Sequence, residues 1–325
     1  MKKKKLRILF MGTPEYAAEV LRKIITEGHE IVGIVTAPDK PAGRGLKLKE
    51  SEVKLVGVEN NLKILQPTNL KDENFIAELK SINADLQIVV AFRMLPEIVW
   101  SMPKYGTINL HASILPQYRG AAPINWAIIN GEKETGVTTF FIEKEIDTGK
   151  IIFTEKLAID SNDNAGSLHD KLMYIGAELI HRTITKIEEN DIVAVTQTSI
   201  IRDSSILKSA PKIFKETCKI NWNKTSVEIR NLVRGLSPYP VAWCEITDAK
   251  GKQNTMKIFE VELVENIGDK TKTGENIISD NKTFLYVKTA DGYLSIKNLQ
   301  LSGKNRVEIG DFLRGFNVGG MEFVR

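Results

Sequence analysis

LRILFMGTPEY, residues 6–16, decides the fold: a mostly apolar run is closed by a Gly-Thr-Pro turn, and a helical pattern begins at once. Apolar residues then recur at helical spacing through residues 18–25. The same alternation returns in EIVGIVTA (30–37), KILQP (63–67) and DLQIVVAF (85–92), with helical patterns between them. Near-continuous apolar strands that alternate with helices are typical of a parallel sheet covered on both faces. We therefore predict an α/β fold with a doubly wound, mostly parallel sheet, similar to a Rossmann fold.

The C-terminal part of the chain has a different pattern. A long helix is predicted over 167–184, little periodicity follows it, and another helix is predicted over 226–236. Short strands separated by turns come next, with a hairpin signal at Asp291-Gly292. This pattern predicts a small, OB-like β-barrel. We predict a catalytic domain over 1–203, a linker over 204–219 and the barrel domain over 220–325.

Composition excludes several classes of protein. The 325 residues are 42% hydrophobic and 26% charged, which is enough apolar material for a sizeable core. No run of eighteen apolar residues occurs, so we expect no membrane span, and the N-terminus does not resemble a signal peptide. The two cysteines lack CxxC spacing and the four histidines lack HxxxH spacing. We therefore expect a cytoplasmic protein that uses no metal.

Charge is distributed unevenly along the chain. Residues 208–325 contain 19 Lys and Arg against 14 Asp and Glu, although the whole chain has a net charge of only +4. A positive C-terminal third fits a polyanionic partner such as nucleic acid. Ordinary surface charge explains the same excess, and the sequence leaves both explanations open.

TINLHAS, residues 107–113, contains the first candidate site residues. Successive strand side chains alternate between faces, so Asn109 and His111 point the same way at the end of a predicted strand. Doubly wound sheets bind ligands beyond the carboxyl ends of their strands. A polar strand face that simply meets water is the alternative. The first turn, MGTPEY, lacks GxGxxG, which disfavours a dinucleotide ligand.

A carboxylate, Asp147 of EIDTGKII, follows the apolar run GVTTFFI (136–142). An amide, an imidazole and a carboxylate that meet in a cleft suit acyl transfer to or from an amine. No motif supplies a serine or cysteine nucleophile, so direct transfer between two bound substrates is favoured. Asp-Thr-Gly also occurs in aspartic proteases, but that chemistry needs two such carboxylates and the chain has one such motif.

INLHASILPQYRGAAPINWAI, together with EIDTG downstream and a glycine-rich basic loop upstream, resembles the methionyl-tRNA formyltransferase family among the folate-dependent formyltransferases. The resemblance covers most of the chain. It implies 10-formyltetrahydrofolate as the formyl donor and the α-amino group of methionyl initiator tRNA as the acceptor. It also implies catalytic roles for Asn109, His111 and Asp147.

The resemblance further implies a folate site after the catalytic histidine and in a second loop. Its residues are Ser113, Ile114, Leu115 and Pro116, with Phe92, Arg93, Met94 and Leu95. The second loop departs from the family pattern, because AFRMLP is one residue shorter and has Arg93 where the family has glycine. Glu145 also stands where a glycine is common.

PDKPAGRGLKLK, residues 38–49, is a basic loop whose physical character suits nucleic acid. Lysines can contact phosphates, and flanking glycines would let an arginine enter a groove or the end of a stem. A mobile surface loop is the alternative explanation. The resemblance implies a clamp on the tRNA acceptor stem, made by Lys40, Arg44, Lys47 and Lys49.

Two other functions remain open at this stage. An amino-sugar or glycinamide-ribonucleotide formyltransferase would use the same chemistry on a small acceptor, which needs neither the basic loop nor the positive C-terminal third. A non-catalytic RNA-binding protein would be expected to have lost at least one of the three site residues. We predict a monomeric enzyme whose partners are initiator tRNA and a small-molecule folate.

Overall fold

A computed structural model describes residues 5–42, 47–265 and 276–324 of the chain. The strands are β1 Arg7–Gly12, β2 Glu30–Val35, β3 Lys40–Ala42, β4 Lys47–Lys49, β5 Ile64–Leu65, β6 Leu86–Val90, β7 Thr107–His111, β8 Arg119–Gly120, β9 Glu134–Phe141, β10 Ile151–Ala158, β11 Ser209–Ala210, β12 Ala242–Thr247, β13 Gln253–Leu263, β14 Ile277–Ser279, β15 Leu285–Lys288, β16 Tyr293–Leu301, β17 Val307–Glu308 and β18 Glu322–Phe323. The helices are α1 Glu15–Thr26, α2 Glu52–Glu59, α3 Glu73–Ile82, α4 Glu97–Trp100, α5 Pro123–Ile129, α6 Ala165–Glu188, α7 Gln197–Ile200, α8 Ser226–Gly235 and α9 Ile309–Gly315.

The chain forms two compact units that interleave along the sequence. The first contains 1–120, 134–158 and 169–209, and the second contains 121–133, 159–168 and 210–325. Two segments that the sequence analysis assigned to the catalytic domain therefore belong to the second unit. The predicted linker, 204–219, is divided between the units, because the chain after 209 joins the second one. The predicted domain boundaries stay a prediction.

The sheet of the first unit confirms the predicted fold class. Seven strands of the described residues are ordered β10-β9-β7-β6-β1-β2-β5. The five strands from β5 to β7 are parallel to one another, β9 is antiparallel to β7, and β10 is antiparallel to β9. The chain starts at β1, proceeds outward through β2 and β5, and then returns to β6 on the other side of β1. The topology thus reverses between β1 and β6, beside the end of β7.

Both faces of the central strand β1 are buried, which explains why its sequence is a continuous apolar run. Ile8 and Phe10 point to one face and Leu9 and Met11 to the other, and all four are fully buried. Helix α3 covers the face of Leu9 and Met11 with Phe75, Ile76, Leu79 and Ile82. At roughly 1.5–3 kcal/mol for each fully buried large aliphatic side chain, this packing is the main stabilisation of the sheet.

Strand β9 pairs antiparallel with β7, so it ends at the opposite edge of the sheet from His111. Phe141, its last residue, lies opposite Ile108, and the Ile142 amide donates to the carbonyl of Thr107. The loop 142–150 then folds back alongside β7 before β10 begins. The apolar run GVTTFFI forms most of this strand, but an apolar run does not indicate the direction of a strand.

The second unit confirms the predicted β-barrel. Its antiparallel strands are ordered β14-β15-β16-β13-β12-β18, and they curl into a nearly closed barrel. Trp222, Cys244 and Ile258 lie in its core. Thr225 and Glu228 form a capping box that starts helix α8. The predicted hairpin at Asp291-Gly292 joins β15 to β16, where Thr289 and Gly292 close the turn.

A histidine pair lies at the amino-terminal edge of the first unit's sheet. His29 precedes β2, and its Nε2 lies 3.0 Å from Nδ1 of His181 on α6. Glu188 faces His29 from the same helix and Glu27 faces His181 from the end of α1, at 3.7 and 3.8 Å. Burial lowers the pKa of His29, and the neighbouring His181 lowers it further, although Glu188 opposes both effects.

This pair predicts acid sensitivity of the first unit. An unfolded histidine titrates near pH 6.5, whereas folded His29 resists protonation, so the unfolded state binds more protons below that pH. The free energy of unfolding should therefore fall as pH drops from about 6.5 through the lowered pKa of His29. Urea unfolding between pH 8 and pH 5.5 should show a shallower loss for His29→Gln, and the original slope for the control His169→Gln. Equal slopes in all three proteins would contradict the assignment.

Candidate active site

Asn109 and His111 lie together on one face of β7, as the sequence predicts. Asn109 is opposite Val89 on β6 and Phe140 on β9, at the level of the topological reversal. The Asn109 side-chain amide is half-buried, and no residue among those that the structure describes forms a hydrogen bond with it. An amide held on a rigid strand and left without a protein partner is suited to bind a substrate oxygen.

His111 is fixed by a backbone carbonyl and faces a carboxylate. Its Nε2 donates to the carbonyl of Tyr118 over 2.8 Å, and its Nδ1 lies 3.7 Å from Oδ2 of Asp147. The two side chains are only 7% and 13% exposed, so both are largely shielded from water. The distance is too long for a hydrogen bond, yet short enough for a strong charge interaction once the imidazole is protonated.

Asp147 is brought to His111 by a backbone conformation that few residues adopt. Its φ is +54°, in the left-handed region, and its Oδ2 accepts a 2.9 Å hydrogen bond from the amide of Gly120. Gly149 packs directly on Phe141, where an added Cβ would stand 1.7 Å from the carbonyl oxygen. The loop 142–150 can therefore fold back on β9 only because residue 149 is glycine.

Two further residues, which no sequence motif indicated, support this site. Gln197, at the start of α7, donates to the carbonyls of Asp147 and Gly149, and Arg119 donates to its side-chain oxygen. Gln197 lies 50 residues after Asp147, in a stretch without periodicity. No local pattern could have connected the two, because the contact exists only once the chain has folded.

The predicted folate residues after His111 divide into buried and accessible ones. Ser113 and Leu115 are buried, and Thr138 on β9 donates to the Ser113 carbonyl over 2.7 Å. Their side chains therefore serve the protein interior. Ile114 and Pro116 are half-buried and remain candidates for a side-chain contact with the donor.

The second predicted folate loop follows β6. Leu95 is buried in the same core as Phe75, Phe92 packs partly against that core, and Met94 is 74% exposed. Arg93, the departure from the family pattern, donates to the carbonyl of Thr68 over 2.8 Å and to that of Pro67. Its guanidinium thus ties this loop to residues 67–68, a role that the glycine of the family pattern could not supply.

The basic loop forms a short hairpin at its base. Strands β3 and β4 pair antiparallel, with Lys40 opposite Lys49, and both of these lysines are exposed. Asp39 at the start of the loop is held by Lys54 and Gln66. Arg44 and the side chain of Lys47, both predicted to contact tRNA, lie outside the described residues.

Within the described ranges, no helix is long and apolar enough to cross a membrane. The same ranges contain no cluster of three or more His, Cys, Asp or Glu side chains that could hold a metal ion.

The sequence matches the formyl transferase family over residues 4–184, and the formyl transferase C-terminal domain over residues 212–317. The chain belongs to the formyl transferase family. It is 52% identical over 312 residues to the methionyl-tRNA formyltransferase of Azobacteroides pseudotrichonymphae, covering 96% of both chains. It is also 52% identical to that of Flavobacterium johnsoniae, again over 96% of each chain.

Solved structures share the formyl transferase fold at lower identity. WlaRD, a sugar 3N-formyl transferase, aligns with a TM-score of 0.64 at 23% identity, covering 93% of this chain and all of its own. HypX from Aquifex aeolicus, in complex with tetrahydrofolic acid, aligns with a TM-score of 0.63 at 19% identity. That alignment covers 96% of this chain and 48% of HypX.

Gly149→Ala should abolish most formyl transfer. The added methyl group cannot fit against the Phe141 carbonyl, so the loop that carries Asp147 must move away from His111. A misplacement of about 1 Å typically costs 10²-fold in rate, and we expect at least that loss in the initial rate of transfer. Gly315→Ala is the matched control, since an added Cβ there meets nothing within 4 Å. Near-normal activity of Gly149→Ala would contradict this account of the loop.

Proposed function

We propose that the chain transfers a formyl group from 10-formyltetrahydrofolate to the α-amino group of methionyl initiator tRNA. The observation that carries this proposal is the Asn109 amide, to which no described residue forms a hydrogen bond, beside the His111–Asp147 pair at the ligand-binding edge of the sheet. The roughly 50% identity to methionyl-tRNA formyltransferases over nearly the whole chain supports this acceptor. A cytoplasmic, monomeric enzyme is part of the proposal.

The three catalytic residues divide the work of the reaction. The amine attacks the formyl carbon, a C–N bond forms, and the bond from that carbon to N10 of the folate breaks. Asn109 donates to the formyl oxygen as it becomes negative. His111 already donates its Nε2–H to Tyr118, so it can be a second donor to this oxygen, through Nδ1, only in its protonated form. Asp147 takes the proton of the attacking amine through a water molecule, and N10 receives a proton as it leaves.

The folate would lie along the accessible residues of the two predicted loops. Ile114 and Pro116 follow β7 and offer apolar side chains. Phe92 follows the neighbouring strand β6 and offers an aromatic surface. The buried Ser113 and Leu115 would contribute through their backbone groups only. The residues present therefore fit a flat, partly apolar donor at the edge of β6 and β7.

For the tRNA, the proposal combines the basic loop with a cationic face of the second unit. The Nζ atoms of Lys215 and Lys219 both lie 5.4 Å from the ring centre of Trp243. Lys219 is paired with Glu245, whereas Lys215 has no acidic partner in the described part of the chain. Exposed lysines held over the half-buried ring of Trp243 suit contact with a phosphate backbone.

Removing Asn109 or His111 should impair the chemical step. Loss of one oxyanion donor typically lowers turnover by 10² to 10³, so Asn109→Ala should lose about that much in kcat while its KM for tRNA stays within about twofold. His111→Ala should be at least as impaired, and the control His169→Ala should resemble wild type. Formation of formylmethionyl-tRNA from 10-formyltetrahydrofolate measures all four. A defect confined to KM would contradict the assignment.

Removing basic side chains should impair tRNA binding instead. Arg44→Ala and the double variant Lys215→Ala/Lys219→Ala should each raise the KM for tRNA, without raising the KM for folate. A plot of the logarithm of the tRNA binding constant against the logarithm of the salt concentration has a negative slope. Each lost phosphate contact should make that slope less steep by about one unit. Lys156→Ala, which removes an exposed lysine paired with Glu134 in the first unit, is the control. An unchanged salt slope in both test variants would contradict the proposal that the basic loop and this face bind tRNA.

A further inference from the structure

Gln197 uses every hydrogen-bonding group of its side chain on the loops of the active site. Its Nε2 donates to the carbonyls of Asp147 and Gly149, over 2.8 and 2.9 Å. Its Oε1 accepts from Nε and Nη2 of Arg119, over 3.0 and 2.6 Å. The residue is only 2% exposed, so water cannot replace these partners. A buried amide with both donors and its acceptor engaged has a single orientation.

The carbonyls that Gln197 binds belong to a strained segment. Asp147 has a φ of +54°, and non-glycine residues keep such a conformation only where surrounding contacts impose it. Gln197 donates hydrogen bonds to this segment on both sides of Thr148. The direction in which the Asp147 carboxylate points therefore depends on Gln197.

Arg119 links the same amide to the loop that holds His111. The residue before it, Tyr118, accepts the hydrogen bond from His111 Nε2, and the residue after it, Gly120, donates to Asp147 Oδ2. The bonds therefore close a ring from His111 through residues 118–120 and Gln197 to Asp147. The 3.7 Å gap between His111 and Asp147 lies inside this ring.

We propose that Gln197, held by the guanidinium of Arg119, is a positioning residue that sets the placement of the Asp147 carboxylate against His111 during formyl transfer. It touches neither substrate and acts only through Asp147. The inference rests on the proposed function for the role of Asp147.

A cycle of variants tests whether Gln197 acts through Asp147. Gln197→Ala should lower kcat by about 10- to 100-fold, with both KM values within about twofold of wild type. In the background of Asp147→Asn, which already lacks the carboxylate charge, the same change should cause little or no further loss. Residues that act as a unit show such non-additivity. If kcat falls by the same factor in both backgrounds, Gln197 only supports the folded structure, and the proposal is overturned.

Gln117→Ala is the matched control. Gln117 also connects the loop after His111 to the segment that follows α7. Its Oε1 accepts from the Lys208 amide, and its Nε2 donates to the Ile206 carbonyl. Neither of these bonds involves the Asp147 loop, so the removal of Gln117 should leave kcat within about twofold of wild type. A loss as large as that of Gln197→Ala would overturn the specific role of Gln197.

Arg119→Lys keeps the test decisive if Gln197→Ala does not fold, as judged by circular dichroism. Lysine retains the charge but cannot make the two-pronged contact, so a loss in kcat should appear with wild-type Asp147 and vanish with Asp147→Asn. Full activity of Arg119→Lys would overturn the proposal. Wild type transferring formyl only to a different amine would contradict the proposed acceptor, and the same cycle run with that amine would still decide on Gln197.

Discussion

The antiparallel pairing of β9 with β7 is the constraint on which the site depends. A parallel strand would have delivered its following loop directly to the ligand-binding edge. Because β9 runs the other way, Asp147 can reach His111 only by a loop that doubles back along β7. The path of this loop explains three unusual features nearby. Gly149 packs on the Phe141 carbonyl, the backbone of Asp147 is in the left-handed region, and the buried Gln197 amide holds the loop in place.

Two amide side chains in this site illustrate opposite uses of the same chemical group. The Gln197 amide is saturated by protein atoms, which makes it a fixed part of the scaffold. The amide of Asn109 has no such partner within the described chain, and its donors remain available to a reacting oxygen. A site that aligns its donors before the substrate arrives needs little reorganisation when charge develops. The saturated amide thus maintains the arrangement in which the unsaturated one can act.

The fold class and two site residues could be predicted because they depend on local periodicity. Apolar runs alternating with helices gave the parallel sheet, and the two-residue strand repeat put Asn109 and His111 on one face. Strand β10 was not predicted, since its second half is exposed and polar at an edge of the sheet. The contacts of Arg93 and Gln197 could not be predicted either, because their partners are distant in sequence and the groups to which both side chains donate are backbone carbonyls. Such acceptors carry no side-chain signature.

The distance along the chain between Asp147 and Gln197 has a consequence for biosynthesis. A nascent chain that has emerged as far as residue 190 already contains all seven strands of the first unit's sheet, yet it lacks the amide that holds the carboxylate. Domains tend to fold as units from the N-terminal side during synthesis. The newborn enzyme should therefore pass through a stage in which its scaffold is complete and its catalytic centre is still loose. The active site would reach its final arrangement only when the chain has been extended 50 residues beyond Asp147.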